Sequence, residues 1–212
     1  MSEPNHDFRS PRFSPAAFLV LAAIQMEGGL ALLALLIAWW FNFSLTDQIR
    51  WCQTDFLLGT VATLPPLFLC WGIYRLRWKN VEFIRRFLST FHRDFIRHCS
   101  LLQLFLISLL AGIGEELFFR GLVQSGMTVW LTGLGMSGWQ AVVWGIFVSS
   151  LLFGLVHPIS RLYVMICFLI GIYCGLLLFW TGNLLVPMTM HAIYDFLVLV
   201  FWRRIAGQPP DP

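Results

Sequence analysis

Six apolar runs, each near twenty residues or longer, punctuate this chain: about 16–43, 56–74, from 101 onward, 139–157, 162–180 and 184–202. The hydrocarbon core of a bilayer is about 30 Å thick, which about 20 residues of α-helix cross at 1.5 Å each. Inside it, every backbone N–H and C=O must be satisfied within the protein, so runs of this length are helical. The reading is an all-α, polytopic membrane helix bundle with about six transmembrane helices. Only 12% of the residues are charged, about half the share of a soluble domain. The first run is too long for the apolar region of a cleaved signal peptide and lacks a convincing cleavage site, so it reads as a retained span. Residues 1–15 form a polar, Pro-punctuated tail expected to be disordered, 16–204 one bundle with its motif-bearing core at about 101–202, and 205–212 a C-terminal tail.

Between the second and third runs lies a basic section with Arg75, Arg77, Lys79, Arg85, Arg86, Arg93 and Arg97. Within it Phe83, Phe87, Phe91 and Phe95 recur every four residues, with Ile84, Leu88 and Ile96 beside them. An apolar stripe opposed by arginines predicts one amphipathic helix over 81–99, lying in the membrane interface. His92 and His98, like His6 in the tail, read as polar surface. Basic residues concentrate in the N-terminal tail, this section, the Arg161 turn and the Arg203-Arg204 end. That asymmetry places those segments and both termini in the cytoplasm, and it follows topology rather than a nucleic-acid-binding patch. The cysteines (Cys52, Cys70, Cys99, Cys167 and Cys174) show no CxxC spacing and read as small hydrophobes. Pro65-Pro66 is expected to kink the second span. Gly171/Gly175, Gly145/Ser149 and Ser150/Gly154 are small-xxx-small pairs suited to close helix approach. Residues 123–138 read as a mixed, Gly-rich connector.

Ionisable groups at membrane depth are costly and mark function. Glu115 and Glu116 stand side by side in the third run, with Arg120 four residues after Glu116 and on its helical face. Glu116 is expected to pair with Arg120, while Glu115 has no partner on its own helix. His157 ends the fourth span, before Pro158; His191 and Asp195 share a face of the sixth, where Asp195 could take the proton of His191 and set its tautomer. Two histidines and three carboxylates on three spans favour one shared polar site. Gln25 and Glu27, beside Gly28-Gly29 in the first span, read as a polar spot facing the bundle. The depth of His157 conflicts with a simple bundle: it falls near the cytoplasmic end of its span, whereas Glu115 lies about 21 Å in from the cytoplasmic start of its own. A helix that ends inside the bilayer beside a water-filled cavity would reconcile them.

Glu115-Glu116-x-x-x-Arg120, Phe153-x-x-x-His157 and His191-x-x-x-Asp195, in this order, resemble the three motifs of the CPBP family. These are intramembrane CAAX-prenyl-protease-like and bacteriocin-processing peptidases, also called Abi proteins. Glu-Glu-Leu-Phe-Phe-Arg-Gly, Leu-Phe-Gly-Leu-x-His and the Thr-Gly-Asn-Leu before the last histidine carry the likeness over about 105–200. Each motif alone is weak; the ordered set is specific. The family usually has Asn where this chain has Asp195, which adds a negative charge beside His191.

The resemblance implies an intramembrane endopeptidase that hydrolyses a peptide bond near the C-terminus of a peptide or protein, which can be lipid-modified. Glu115, His157, His191 and Asp195 would be catalytic, with Glu116 and Arg120 in support. Glu115 would activate water, and the two histidines would hold it and polarise the carbonyl. The family has been described both as glutamic proteases and as metalloendopeptidases. Two histidines and a carboxylate form a zinc-type set, here His157, His191 and Glu115; the metal-independent route is the reading adopted. The expected setting is the plasma (inner) membrane of a prokaryote, with the bilayer and a substrate as partners and no nucleic acid. Two other classes stand beside it: a non-catalytic protein of this fold in bacteriocin self-immunity or scaffolding, and an ion or proton transporter. A transporter predicts polar residues along a whole path, whereas here they cluster.

Overall fold

A computed structural model describes residues 14–76 and 78–205; the side chains of residues 92–94 and 205 are outside that description. The expectations for tail residues 1–13 (with His6) and 206–212, for Arg77, and for the side chains of His92 and Arg93 therefore lie outside the described residues. Within them all regular structure is helical, and six helices are long and apolar enough to cross a membrane.

Helix α1 (Pro15–Trp40) starts where the Ser14 hydroxyl accepts the Ala17 N–H, with proline in the first turn. Helices α2 (Gln53–Ala62) and α3 (Leu64–Arg75) form one span broken at Thr63. The prolines in the first turn of α3 have no N–H to return to the preceding turn, so the ladder stops there. The buried Thr63 hydroxyl lies 3.2 Å from the Gly59 carbonyl and 3.4 Å from that of Met190. Helix α4 (Lys79–Asp94) is the amphipathic element. Its inward face is Val81 and Ile84, while Phe83 and Phe87 project away from the bundle. It also ends at Asp94, and Ile96–His98 make a separate 3-10 turn that seats Ile96 and Cys99 against Ala16 and Leu104.

A Ser100–Gln103 capping box opens α5 (Leu101–Glu116). The chain continues through a π-helical stretch, Leu117–Gln124, into α6 (Ser125–Gly133) as one apolar rod. The expected connector over 123–138 is thus helical as far as Gly133: its glycines are too few and too scattered to outweigh Val129, Trp130 and Leu131. Helices α7 (Gly138–Leu155), α8 (Arg161–Thr181) and α9 (Leu185–Ile205) complete the bundle.

Helix α5 sits at the centre, between α1 and α9. Gly112 makes that approach possible: a Cβ there would stand 2.7 Å from the Ala192 nitrogen of α9. Helices α7 and α8 meet where Gly171 lies against Ser150, at one of the expected small-residue pairs. The turn before α9 is pinned by Asn183, which is fully buried. Its side chain accepts from the Arg50 and Leu185 amides and donates to the Arg50 carbonyl and the Asp55 carboxylate. Those bonds fix where α9 begins, and hence where His191 comes to lie.

Candidate active site

The two histidines and three carboxylates predicted to share a site come together with Arg120 at the crossing of α5, α9 and the end of α7. Arg120, buried completely, donates from Nη1 to Glu116 Oε1 at 2.9 Å and from Nη2 to the Gly171 carbonyl at 3.2 Å. One turn on, Gln124 donates to the Gly175 carbonyl at 3.1 Å. The 120/124 pair thus meets the 171/175 pair, with glycines on α8 because no side chain fits between. The π-helical winding turns both polar side chains toward α8; π segments recur at functional sites. Ser149 of α7 satisfies the Phe119 carbonyl beside it at 2.6 Å.

Glu116 does more than balance Arg120. Its Oε1 also lies 2.8 Å from His191 Nδ1. A carboxylate held by an arginine can only accept, so Nδ1 carries the proton and Nε2 is turned into the site. Sequence spacing assigns that orienting role to Asp195; the structure puts Glu116 there instead. Asp195 Oδ2 lies 3.5 Å from Nε2, on the reactive edge of the ring.

Glu115 faces both imidazoles. Its Oε1 is 3.9 Å from His157 Nε2 and its Oε2 is 3.9 Å from His191 Nε2. These separations exceed a direct hydrogen bond and suit groups bridged by a shared water. Glu115 Oε2 is buried without a hydrogen-bond partner among the described residues. His157 reaches this point because α7 stops at Leu155, ahead of Pro158. Its Nδ1–H donates to the Phe153 carbonyl at 2.7 Å, folding the ring back toward Glu115. Helix α7 thus ends early, as expected of a helix that would reconcile the depth of His157 with that of Glu115.

Phe153, a motif residue with no role assigned from sequence, is the packing hub. Its buried ring lies under the Arg120 guanidinium at 4.4 Å and beside His157 and His191 at centroid distances of 4.9 and 5.9 Å. An apolar residue before Gly-Leu-Val-His carries no polar signal that would have marked it. Glu27, half-buried on α1, abuts Gly114 through its backbone, next to Glu115 in sequence. It therefore borders the site rather than merely facing the bundle.

A zinc set from His157, His191 and Glu115 would hold donors about 3.4 Å apart around bonds of about 2.1 Å. The two 3.9 Å pairs are wider, and among the described residues no group of three His, Cys, Asp or Glu is placed to hold a metal ion. As arranged, the residues do not fit the ion.

An apolar cavity of about 370 Å³ opens beside this site, bounded by α3, α4, α8 and α9. Asp195, Tyr163 and Tyr194 are among its lining residues, as are Arg85, Tyr74 and Trp202.

Residues 97–197 match the family described as type II CAAX prenyl endopeptidase Rce1-like. The chain is also 34% identical over 96 residues to the uncharacterized protein YpbD of Bacillus subtilis (strain 168), an alignment covering 45% of this chain and 43% of that protein. It thus spans less than half the length of that relative. No solved structure matches it. Every group in the constellation lies inside the matched segment; Glu27 and Arg85 lie outside it.

Proposed function

We propose, from the match of residues 97–197 to the Rce1-like family, that the protein is an intramembrane endopeptidase that cleaves near the C-terminus of a peptide or protein substrate. The observation that carries the reading is the placement of two imidazoles from different spans on the two oxygens of one unpaired carboxylate, Glu115. Burying these groups separately would cost several kcal/mol with no structural return.

In this reading Glu115 takes a proton from a water held between its carboxylate and His157, and the water oxygen bonds to the scissile carbonyl carbon. His191, doubly protonated with its Nδ1–H on Glu116, donates from Nε2–H to the developing oxyanion. Glu115 then returns its proton to the amide nitrogen as the C–N bond breaks, releasing an amine and a carboxylic acid. Asp195 offsets charge on His191 during the oxyanion's lifetime. Glu116 and Arg120 act through position: they set the His191 ring and tie α5 to α8.

The test is proteolysis by the purified protein in lipid nanodiscs on a proteome-derived peptide library, with new termini identified by mass spectrometry. The reading expects a set of cleavages that Glu115→Gln lacks. Identical termini from both preparations would contradict it.

A further inference from the structure

Helix α4 gathers basic residues over its first two turns. An open pocket of about 580 Å³ lies there, lined by Trp78, Lys79, Glu82, Phe83, Arg85 and Arg86. Three cations face one carboxylate, which leaves two positive charges over. Positions 79, 82, 83 and 86 recur at helical spacing and share one flank, away from the Val81 and Ile84 face that is buried against the bundle.

Partners within the protein do not use up this charge. The Glu82 carboxylate lies 3.4 Å from Arg85 Nη1 and 3.2 Å from Arg86 Nε, so one anion is divided between two guanidiniums. The Arg86 side chain is 79% exposed, and ion pairs in such surroundings are weak. Arg85 Nη2 donates to the carbonyls of Tyr74 and Leu76, but its Nε is buried with no partner among the described residues. Lys79 stands in the first turn of α4, where the helix's own N–H groups are positive and no side chain caps them. A cation is disfavoured there unless an anion joins it.

The rim of the pocket indicates the source of that anion. Trp78 and Phe83 are 61% and 53% exposed, and Phe87, one turn on, is 43% exposed. Aromatic rings exposed beside cations suit the headgroup boundary of a bilayer, where the rings meet acyl chains and the cations meet headgroups. The anion at that depth is a lipid phosphate, and the basic residues assign α4 to the cytoplasmic face, whose leaflet carries the anionic lipids.

We propose that this pocket binds the phosphate of an anionic phospholipid through Lys79, Arg85 and Arg86, with the acyl chains lying over Phe83 and Phe87. Arginine meets phosphate through directional, charge-assisted bonds, and lysine adds a compact point charge. Two surplus positive charges select a lipid of net negative charge over a zwitterionic one, whose ammonium they repel. Arg85 also holds the last carbonyls of α3, so the lipid ties the corner between α3 and α4 to the membrane surface. The binding does not depend on the endopeptidase reading.

The experiment titrates the purified full chain, in a neutral detergent, with phosphatidylglycerol and separately with phosphatidylcholine, and counts retained lipid by native mass spectrometry. The unmodified protein is expected to hold phosphatidylglycerol at least tenfold more tightly. Arg86→Gln, at an exposed position, should reduce that preference at least threefold, and Lys79→Gln with Arg86→Gln should abolish it. Arg161→Gln removes one charge from an exposed position at the start of α8 and should leave the preference intact. Equal retention of the two lipids by the unmodified protein, which needs no variant to fold, would overturn the proposal. So would a preference that falls equally with Arg86→Gln and Arg161→Gln, since the attraction would then be diffuse. Displacement of the lipid by inorganic phosphate at equal concentration would also overturn it, because the occupant would then be a soluble anion.

Discussion

Glu116 shares one oxygen between Arg120 Nη1 at 2.9 Å and His191 Nδ1 at 2.8 Å, and all of it is closed off from solvent. Removing one partner of such a pair strands the other, which costs about 3–5 kcal/mol. Glu116→Gln should therefore lower stability in detergent by an amount of that order. Glu116→Leu with Arg120→Leu should lose less than Glu116→Leu alone, because the buried guanidinium is no longer stranded. Thermal unfolding followed by tryptophan fluorescence checks both; a Glu116→Gln protein as stable as the parent would refute the pairing. Asp195 makes a different prediction. An asparagine there can donate to the oxyanion itself, so Asp195→Asn should keep hydrolysis within about tenfold, whereas Asp195→Ala should lose about a hundredfold. Rates on one peptide distinguish the cases, and equal losses in both would mean the carboxylate itself is required.

At the scale of the helix, α4 is the element whose placement depends most on the membrane. Val81 and Ile84 face the bundle while Phe83 and Phe87 face away, as expected of a helix that rests its outer phenylalanines in the headgroup boundary. A cysteine at Ser89 should then react with an impermeant maleimide in inverted vesicles and not in intact cells. Cys52, exposed in the segment between α1 and α2, should show the reverse pattern, with the other cysteines replaced. Labelling of both from one side would overturn the assigned topology. The helices themselves were legible, because runs of about twenty apolar residues admit no other solution in a bilayer. The Glu116–Arg120 pair was legible too, since four residues define a face. The π-helical stretch was not: a uniformly apolar run has no period from which winding can be read. Nor was the hold of Glu116 on His191, which depends on how closely α5 and α9 approach at Gly112, a tertiary distance. Pro158 announced that the helix before His157 would end, but only the fold shows the ring turned back to Glu115.

Across the whole molecule, one carboxylate and two imidazoles from α5, the segment just after α7, and α9 are assembled by contacts spread over the entire bundle: Asn183 sets the start of α9, Gly112 its distance from α5, and Arg120 the approach of α8. The Glu115–His157 and Glu115–His191 pairs, at 3.9 Å each, are wider than the donors of a tetrahedral zinc site, and on the metal-independent reading hydrolysis should survive overnight dialysis against a strong zinc chelator. Activity lost on chelation and restored by zinc alone would replace Glu115 as the sole activator of water. The central claim is that Glu115 moves the proton. Its most direct test is the single-turnover cleavage rate of one identified peptide by the parent protein and by Glu115→Gln in nanodiscs, each shown to be folded by its unfolding temperature. Glu115→Gln should keep the unfolding temperature within a few degrees and lower the rate by about a thousandfold, the scale of a lost general acid–base group; a folded Glu115→Gln protein that cleaves at the parent's rate would contradict that role.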